Sequence, residues 1–198
     1  MAILPIYLFG SSVLRKKAKP VDQLDNALIK LVYDMTETMH KAHGIGLAAN
    51  QVGELRQVIV VDMTAVEESE REEGNDHEES SVKVKERKTL VLINPEILSK
   101  GGTFTMEEGC LSIPEVRADV TRPESIRLKF KDVNFNEVEL ETGGLLARVL
   151  QHEVDHLKGI LFIDYLSKLK RASLKSTLRA IEKGEVDASY PIVVGAEA

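Results

Sequence analysis

Apolar positions between Val21 and Gly46 recur at three- and four-residue steps: Leu24, Leu28, Leu31, Val32, Met35 and Met39. That spacing predicts an amphipathic helix, stopped by Gly44 and Gly46. Two shorter runs are apolar without a helical step. QVIVVDM (Gln57–Met63) and TLVLINPEIL predict buried strands, the second ending near Pro95. SIRLKFKDV and VELET alternate, or nearly so, and predict partly exposed strands. The run LLARVLQHEVDHLKG, Leu145 to Gly159, returns to a helical period. A basic, loosely periodic stretch, LSKLKRASLKSTLRAIEKG, predicts a surface helix, and YPIVVGAEA a tail strand or a frayed end. Strands and helices do not alternate as a βαβ repeat. The expected fold class is α+β, with mixed or antiparallel strands around the central helix, in one domain over residues 1–198 with a C-terminal helix and tail over 167–198.

Charge modifies this picture in one place. Of the residues Glu67 to Glu79, eight are acidic and one is arginine. Such a segment has nothing to bury, so Glu67–Ser81 is expected to be a solvated, disordered insertion, and His77 within it a solvated histidine. The chain of 198 residues has a net charge of -6 and no dense Lys/Arg block, which argues against direct DNA recognition. No window approaches 18 consecutive apolar residues, so no membrane span is expected. The first twenty residues lack the basic leader of a secretory signal and read as mature sequence. With Cys110 the sole cysteine, no intrachain disulfide is possible, and a reducing cytoplasm is the expected setting.

The apolar helix Leu145–Gly159 contains two histidines, His152 and His156, with Glu153 beside the first. At about 100° per residue the imidazoles lie about 40° apart, above Leu145 and Val149. Glu153 points roughly 80° from the pair, a poor angle for a third ligand but suitable for a carboxylate that handles the proton of a water. Asp155 could orient a histidine, or pair with Arg148 or Lys158. A buried helix with two satisfied histidines remains possible on this segment alone. No third histidine follows at the metzincin spacing. The missing ligand is sought in TFTMEEGCLSIPEVRADV, where Cys110 is either a core filler or the thiolate of a Cys-His-His site with one open position. In HGIGLAANQVG, Gly44 and Gly46 leave room for a passing chain and Gln51 offers an amide donor. The lysine and Ser/Thr of a phosphate loop are absent.

Three segments together resemble the peptide deformylase family: GIGLAANQ at Gly44–Gln51, EGCLS at Glu108–Ser112 and QHEVDHLKG at Gln151–Gly159. The resemblance runs over about three quarters of the chain, and it implies a deformylase-like α+β fold built around the HExxH helix. It implies a metal-dependent hydrolase that removes the formyl group from the N-terminal formyl-methionine of nascent polypeptides and releases formate. Rival readings are another HExxH metallopeptidase, or a non-catalytic metal- or peptide-binding domain.

By the same resemblance Cys110, His152 and His156 would hold one divalent metal. That metal would be Fe²⁺ in the cell, with Zn²⁺, Ni²⁺ or Co²⁺ possible in purified protein. Glu153 would be general base and acid, and Gln51 and the Leu111 N–H would stabilise the formyl oxygen. Gly46 would bond the substrate backbone, with Arg117 near the substrate chain. Ile45, Leu111, Leu145 and Val149 would wall the methionine pocket. Asn50 stands where proline is usual in the family and could loosen that turn. A bacterial cytoplasmic monomer is expected, with transient ribosome association left open.

Overall fold

In the computed structural model, residues 2–73 and 88–195 are described. In chain order the elements are β1 (Ile6–Tyr7), α1 (Asn26–Lys41), β2 (Gly46–Ala48), β3 (Val58–Asp62), α2 (Met63–Glu73), β4 (Thr89–Gly101), β5 (Phe104–Cys110), β6 (Ile113–Arg122), β7 (Ser125–Lys131), β8 (Glu137–Thr142), α3 (Gly144–Leu157), α4 (Lys168–Ser173), α5 (Lys175–Glu182) and β9 (Ile192–Val193). Five strands form an antiparallel sheet in the order β2-β3-β4-β7-β8, β5 and β6 form a separate hairpin, and β1 pairs in parallel with β9. This is an α+β fold, as expected.

The buried run in β3 explains the layering. Every residue of Val58–Asp62 is buried, yet alternate side chains serve different cores. Val58 and Val60 pack with α1, whereas Ile59 and Val61 pack with α3. A strand covered on both faces needs apolar residues at both parities, so its lack of alternation is the signature of a sheet held between two helices. The third core lies under the β5–β6 hairpin and includes Ile113, Val120, Phe162 and Ile181.

α1 follows its predicted period from Leu28 to Met39, with Asp25 capping it by accepting the Leu28 N–H at 2.7 Å. Leu24, counted in the period, instead lies before the helix and is 40% exposed. The helix ends two residues before the expected stop. His43, not a glycine, takes the left-handed position (φ 54), and Gly44 N–H donates to the Met39 carbonyl at 2.9 Å, closing a Schellman motif.

Two strand and loop expectations change. β4 does not end at Pro95 but continues to Gly101. Its register shifts between Ile93 and Glu96, with Asn94 at φ 53, so the proline sits at a bulge where no ladder N–H is required. The acidic segment is not a loop from its start: Glu67–Glu73 belong to α2. Asp62 accepts the N–H groups of Thr64 and Ala65, and Val66 is buried, so a cap and an apolar anchor start the helix before its composition turns wholly acidic. The remainder of the expected insertion, from Gly74 to Ser81 with His77, lies outside the described residues. The predicted basic helix is two short helices, α4 and α5, joined at Leu174. Among the described residues no helix is long and apolar enough to cross a membrane.

Candidate active site

α3 carries the motif residues through the middle of the molecule, and every residue from Ala147 to Leu157 is buried. Its C-terminal end is fixed by Gly159 at φ +74, with Ile160 N–H donating to the Asp155 carbonyl at 2.9 Å. A Cβ at Gly159 would stand 2.4 Å from the Arg15 carbonyl oxygen, so only glycine allows this close approach. The β5–β6 hairpin then brings Cys110 to the two histidines.

The donor atoms converge. Cys110, His152 and His156 each offer one ligand atom, and these atoms lie within 4.8 Å of one another. Cys110 Sγ is 3.2 Å from His156 Nε2, which is 3.2 Å from His152 Nε2. Two imidazole nitrogens around one tetrahedral zinc-sized ion stand about 3.3 Å apart by ordinary bond lengths. The set therefore fits a small divalent cation without rearrangement, and a thiolate with two neutral imidazoles leaves one position of four free.

The outer nitrogens of the histidines are treated differently. His152 Nδ1 lies 2.9 Å from Glu108 Oε2, whereas His156 Nδ1 is buried without a hydrogen-bond partner. A carboxylate behind an imidazole fixes its tautomer and raises its basicity. Glu108 is itself held by Arg122, whose Nε donates to Oε1 at 2.6 Å, and by Arg148 at 2.9 Å. Arg122 also donates to Asp155 at 2.5 Å, and Asp155 accepts from the Tyr165 hydroxyl at 2.8 Å. Arg148 donates in addition to the carbonyls of Val120 and Phe104. Two guanidiniums and two carboxylates thus balance in the core, as buried charge requires. Burial alone would raise the Glu108 carboxyl, but the bonds from His152 and Arg122 outweigh it and hold the pKa at about 2. For His152, burial is outweighed by contacts with Cys110 and Glu108, which raise it, while burial first and the charge of His152 second lower His156. The Asp155 carboxylate meets none of the partners expected for it: it bonds Arg122 and Tyr165, while Arg148 reaches Glu108 and the carboxylate behind His152 is that of Glu108.

Glu153 is buried and its Oε2 has no partner. Burial pushes its carboxyl up to about 7, against the lowering effect of His152. It faces the β2 wall: a Cβ on Gly46 would come within 2.6 Å of Glu153 Oε1. On that wall the Gln51 amide oxygen accepts the Ala48 N–H at 2.9 Å, which turns its nitrogen toward Ser112 Oγ at 3.2 Å and Cys110 Sγ at 3.5 Å. Asn50 is fully buried beside this turn, its amide nitrogen donating to the Lys16 carbonyl at 2.7 Å while its Oδ1 has no partner.

A cleft of about 420 Å³ opens onto these groups. Of the sequence-named residues, Gly46, Ile45, Gln51, Cys110, Leu111, Leu145, Val149, His152 and Glu153 line it, with Arg117 at its edge. His156 is a member of the donor set but not of the lining. Arg117 is largely exposed and 3.6 Å from Glu107. Reasoning from the sequence missed Glu108, Arg122 and Tyr190. Glu108 had a signal, a carboxylate two residues before the thiolate, but the arginines that bury it come from β6 and α3 and share no local pattern with it.

Comparison with known proteins bears on this constellation directly. The sequence model of the family described as polypeptide deformylase matches residues 3–172. The chain belongs to the polypeptide deformylase family. A peptide deformylase of Salinibacter ruber is 49% identical over 192 residues, covering 96% of this chain and 94% of the relative, and one of Chlorobium phaeobacteroides is 45% identical over 190 residues, covering 96% and 95%. The crystal structure of a peptide deformylase from Legionella pneumophila superposes with a TM-score of 0.77 at 38% identity, covering 93% of this chain and 98% of that one. The plant peptide deformylase PDF1B gives 0.78 at 33% identity, covering 92% and 90%. As a deformylase, the protein is a metal-dependent hydrolase that removes the formyl group from the N-terminal formyl-methionine of nascent polypeptides and releases formate.

Proposed function

We propose that Cys110, His152 and His156 hold the catalytic metal, Fe²⁺ in the cell, with Zn²⁺, Ni²⁺ or Co²⁺ as substitutes in purified protein. A Cys₁His₂ set suits all of these ions. When bound, the ion supplies Lewis acidity toward oxygen. The formyl-methionine chain enters along Gly46, whose backbone bonds it, with its side chain against Ile45, Leu111, Leu145 and Val149. The Gln51 amide and the Leu111 N–H donate to the formyl oxygen as negative charge develops there. Glu153 accepts a proton from the attacking water and delivers it to the leaving amine, so the carboxyl ends as it began. Arg117, exposed at the rim beside Glu107, meets the more distant part of the substrate chain. The protein works as a single domain and a monomer in the bacterial cytoplasm, and a transient contact with the ribosome supplies its substrates.

The observation that carries this assignment is a buried carboxyl, unpartnered at Oε2 and with a pKa of about 7, beside a converging thiol and two imidazoles. A carboxyl poised near neutrality exchanges protons in both directions. Glu153→Gln keeps the shape and removes that exchange. We expect full metal content and a loss of at least about a thousandfold in formate release from a formyl-Met tripeptide. Near-normal turnover with full metal overturns the role. Cleavage inside the tripeptide, in place of formate release, would favour a peptidase.

A further inference from the structure

We infer that Tyr190 is a positioning residue of the active site: its hydroxyl, brought in by the C-terminal tail, holds the Leu111 carbonyl and thereby fixes the turn that presents the Leu111 N–H. This rests on the reading of Leu111 given under Proposed function. Tyr190 lies beyond residues 3–172, the span matched by the family, yet it lines the catalytic cleft. Its hydroxyl donates to the Leu111 carbonyl at 2.8 Å.

The local backbone needs that restraint. Leu111 and Ser112 are the two residues joining β5 to β6 across the Cys110–Ile113 pair. Neither has a positive φ. Two-residue hairpins favour turns with φ above zero, because their twist matches the strands, whereas the negative-φ types splay them. Here the ladder indeed breaks register beside the turn, between Gly109 and Cys110. The Cys110–Ile113 pair closes the turn at its base but does not bond its central peptide. That peptide, which carries the Leu111 carbonyl, can rotate between the arrangements that define different turn types.

The ties that stop it come from outside the hairpin. Phe9 N–H donates to the Ser112 carbonyl at 2.8 Å, and Gln51 reaches Ser112 Oγ. Tyr190 secures the carbonyl between them. Phe9 follows β1 and Tyr190 precedes β9, and the two strands are paired: Ile6 N–H donates to the Pro191 carbonyl and Leu8 N–H to the Val193 carbonyl, both at 2.9 Å. The two ends of the described chain are thus joined to each other and to one turn. Asp187 N–H adds a contact with Glu115 at 3.2 Å, just past the turn in β6. On the far side Gly44 confines the Leu111 side chain, since a Cβ there would stand 2.8 Å from its Cδ1.

The test uses the full-length, metal-loaded enzyme and a formyl-Met tripeptide. Tyr190→Phe keeps the ring and removes only the hydroxyl. We expect kcat to fall about tenfold, with KM, metal content and Tm close to the parent, because a misplaced donor acts in the transition state. Separately, leucic acid at position 111 replaces the Leu111 N–H by an ester oxygen and should lower kcat about a hundredfold. Combining the two changes should cost no more than the ester alone. Parental kcat in Tyr190→Phe overturns the inference, as does a loss that follows a fall in folded fraction. A tenfold loss repeated in full on the ester background means that Tyr190 acts by another route, and also overturns it. Parental kcat in the ester variant overturns the Leu111 reading itself, an outcome distinct from failure at Tyr190.

Discussion

The two walls of the cleft are built from opposite materials. The α3 wall is a lattice of charged and polar side chains: His152 backed by Glu108, Glu108 by Arg122 and Arg148, Arg122 by Asp155, and Asp155 by Tyr165. The facing wall, Gly44 to Gln51 with the Leu111–Ser112 turn, acts largely through backbone groups and absent side chains. One wall holds reactive atoms in place by mutual charge. The other is thin, and on the proposed reading it leaves space for the substrate chain and offers N–H groups to it. An enzyme acting on a very small acyl group gains from both, because a rigid donor set needs a close partner surface to exclude larger groups.

The sharpest way to break that division is to put a side chain on the empty wall. In Gly46→Ala the new methyl would sit 2.6 Å from Glu153 Oε1 and 3.0 Å from its Cδ, closer than real contacts allow. Gly46 does not have a positive φ, so the backbone accepts alanine and the strain falls on the carboxylate. We expect kcat/KM to fall about a hundredfold, since displacement of a catalytic group by about 1 Å costs that much. Metal content should stay full, because the new methyl meets Glu153 and none of the three donor residues. A variant with parental kcat/KM would mean that Glu153 can withdraw freely, contrary to its burial.

A weaker cut goes into the charged wall. Glu108→Gln keeps the shape but leaves two guanidiniums facing one carboxylate and removes the acceptor behind His152. Metal affinity should fall about 10- to 100-fold, and stability at neutral pH by about 3 kcal/mol, as for one partner removed from a buried pair. The pH dependence follows from the sign of the shift. The Glu108 carboxyl is held at about 2 when folded, below its ordinary 4.5. Its stabilisation is therefore complete above about pH 4.5 and is lost as pH falls through about 2. The metal-free parent should show a steep loss of stability across that window in urea titrations, and Glu108→Gln a shallower one. Equal slopes would show that Glu108 is not the group that titrates there.

The same contrast explains what the sequence disclosed. The candidate ligands on α3 were legible because one helix supplies two of them at a fixed spacing, and local geometry alone sets His152 and His156 on one face. Cys110 needed a second segment: its own surroundings left it as core filler or metal ligand, and only the resemblance of EGCLS to the deformylase motif singled it out. The ionic lattice was not legible: Arg122 and Arg148 lie far apart in sequence from Glu108, and an isolated arginine in a strand or helix reads as surface. The β5–β6 hairpin escaped notice because its turn has neither glycine nor asparagine, and because the residues that bond that turn, Phe9 and Tyr190, are far from it in sequence. Likewise α2 was hidden by composition, since the cap at Asp62 and the anchor at Val66 outweigh the acidic run only in its first turns. β4 passed its expected stop because the bulge at Asn94 and Pro95 absorbs the proline.

The smallest effect is expected where neither wall reaches. Arg117 stands on β6 opposite Gly109, with 72% of its side chain exposed, and its contact with Glu107 is 3.6 Å between two exposed groups. Such a pair contributes about 0–1 kcal/mol to stability, so Arg117→Ala should leave Tm within about 2 °C of the parent. The guanidinium lines the cleft from the exposed side of the hairpin, and on the proposed reading it meets the distal part of the substrate chain rather than the reacting group. Loss of the charge therefore removes binding that is equal in ground and transition states: KM rises about threefold and kcat is unchanged. The difference should shrink as salt is raised from about 0.05 to 0.5 M, because the charge is exposed and the screening length falls below 10 Å over that range. A fall in kcat at saturating formyl-Met tripeptide would instead tie Arg117 to the chemistry, and move the boundary of the catalytic apparatus outward from the turn at Leu111 to the edge of the hairpin.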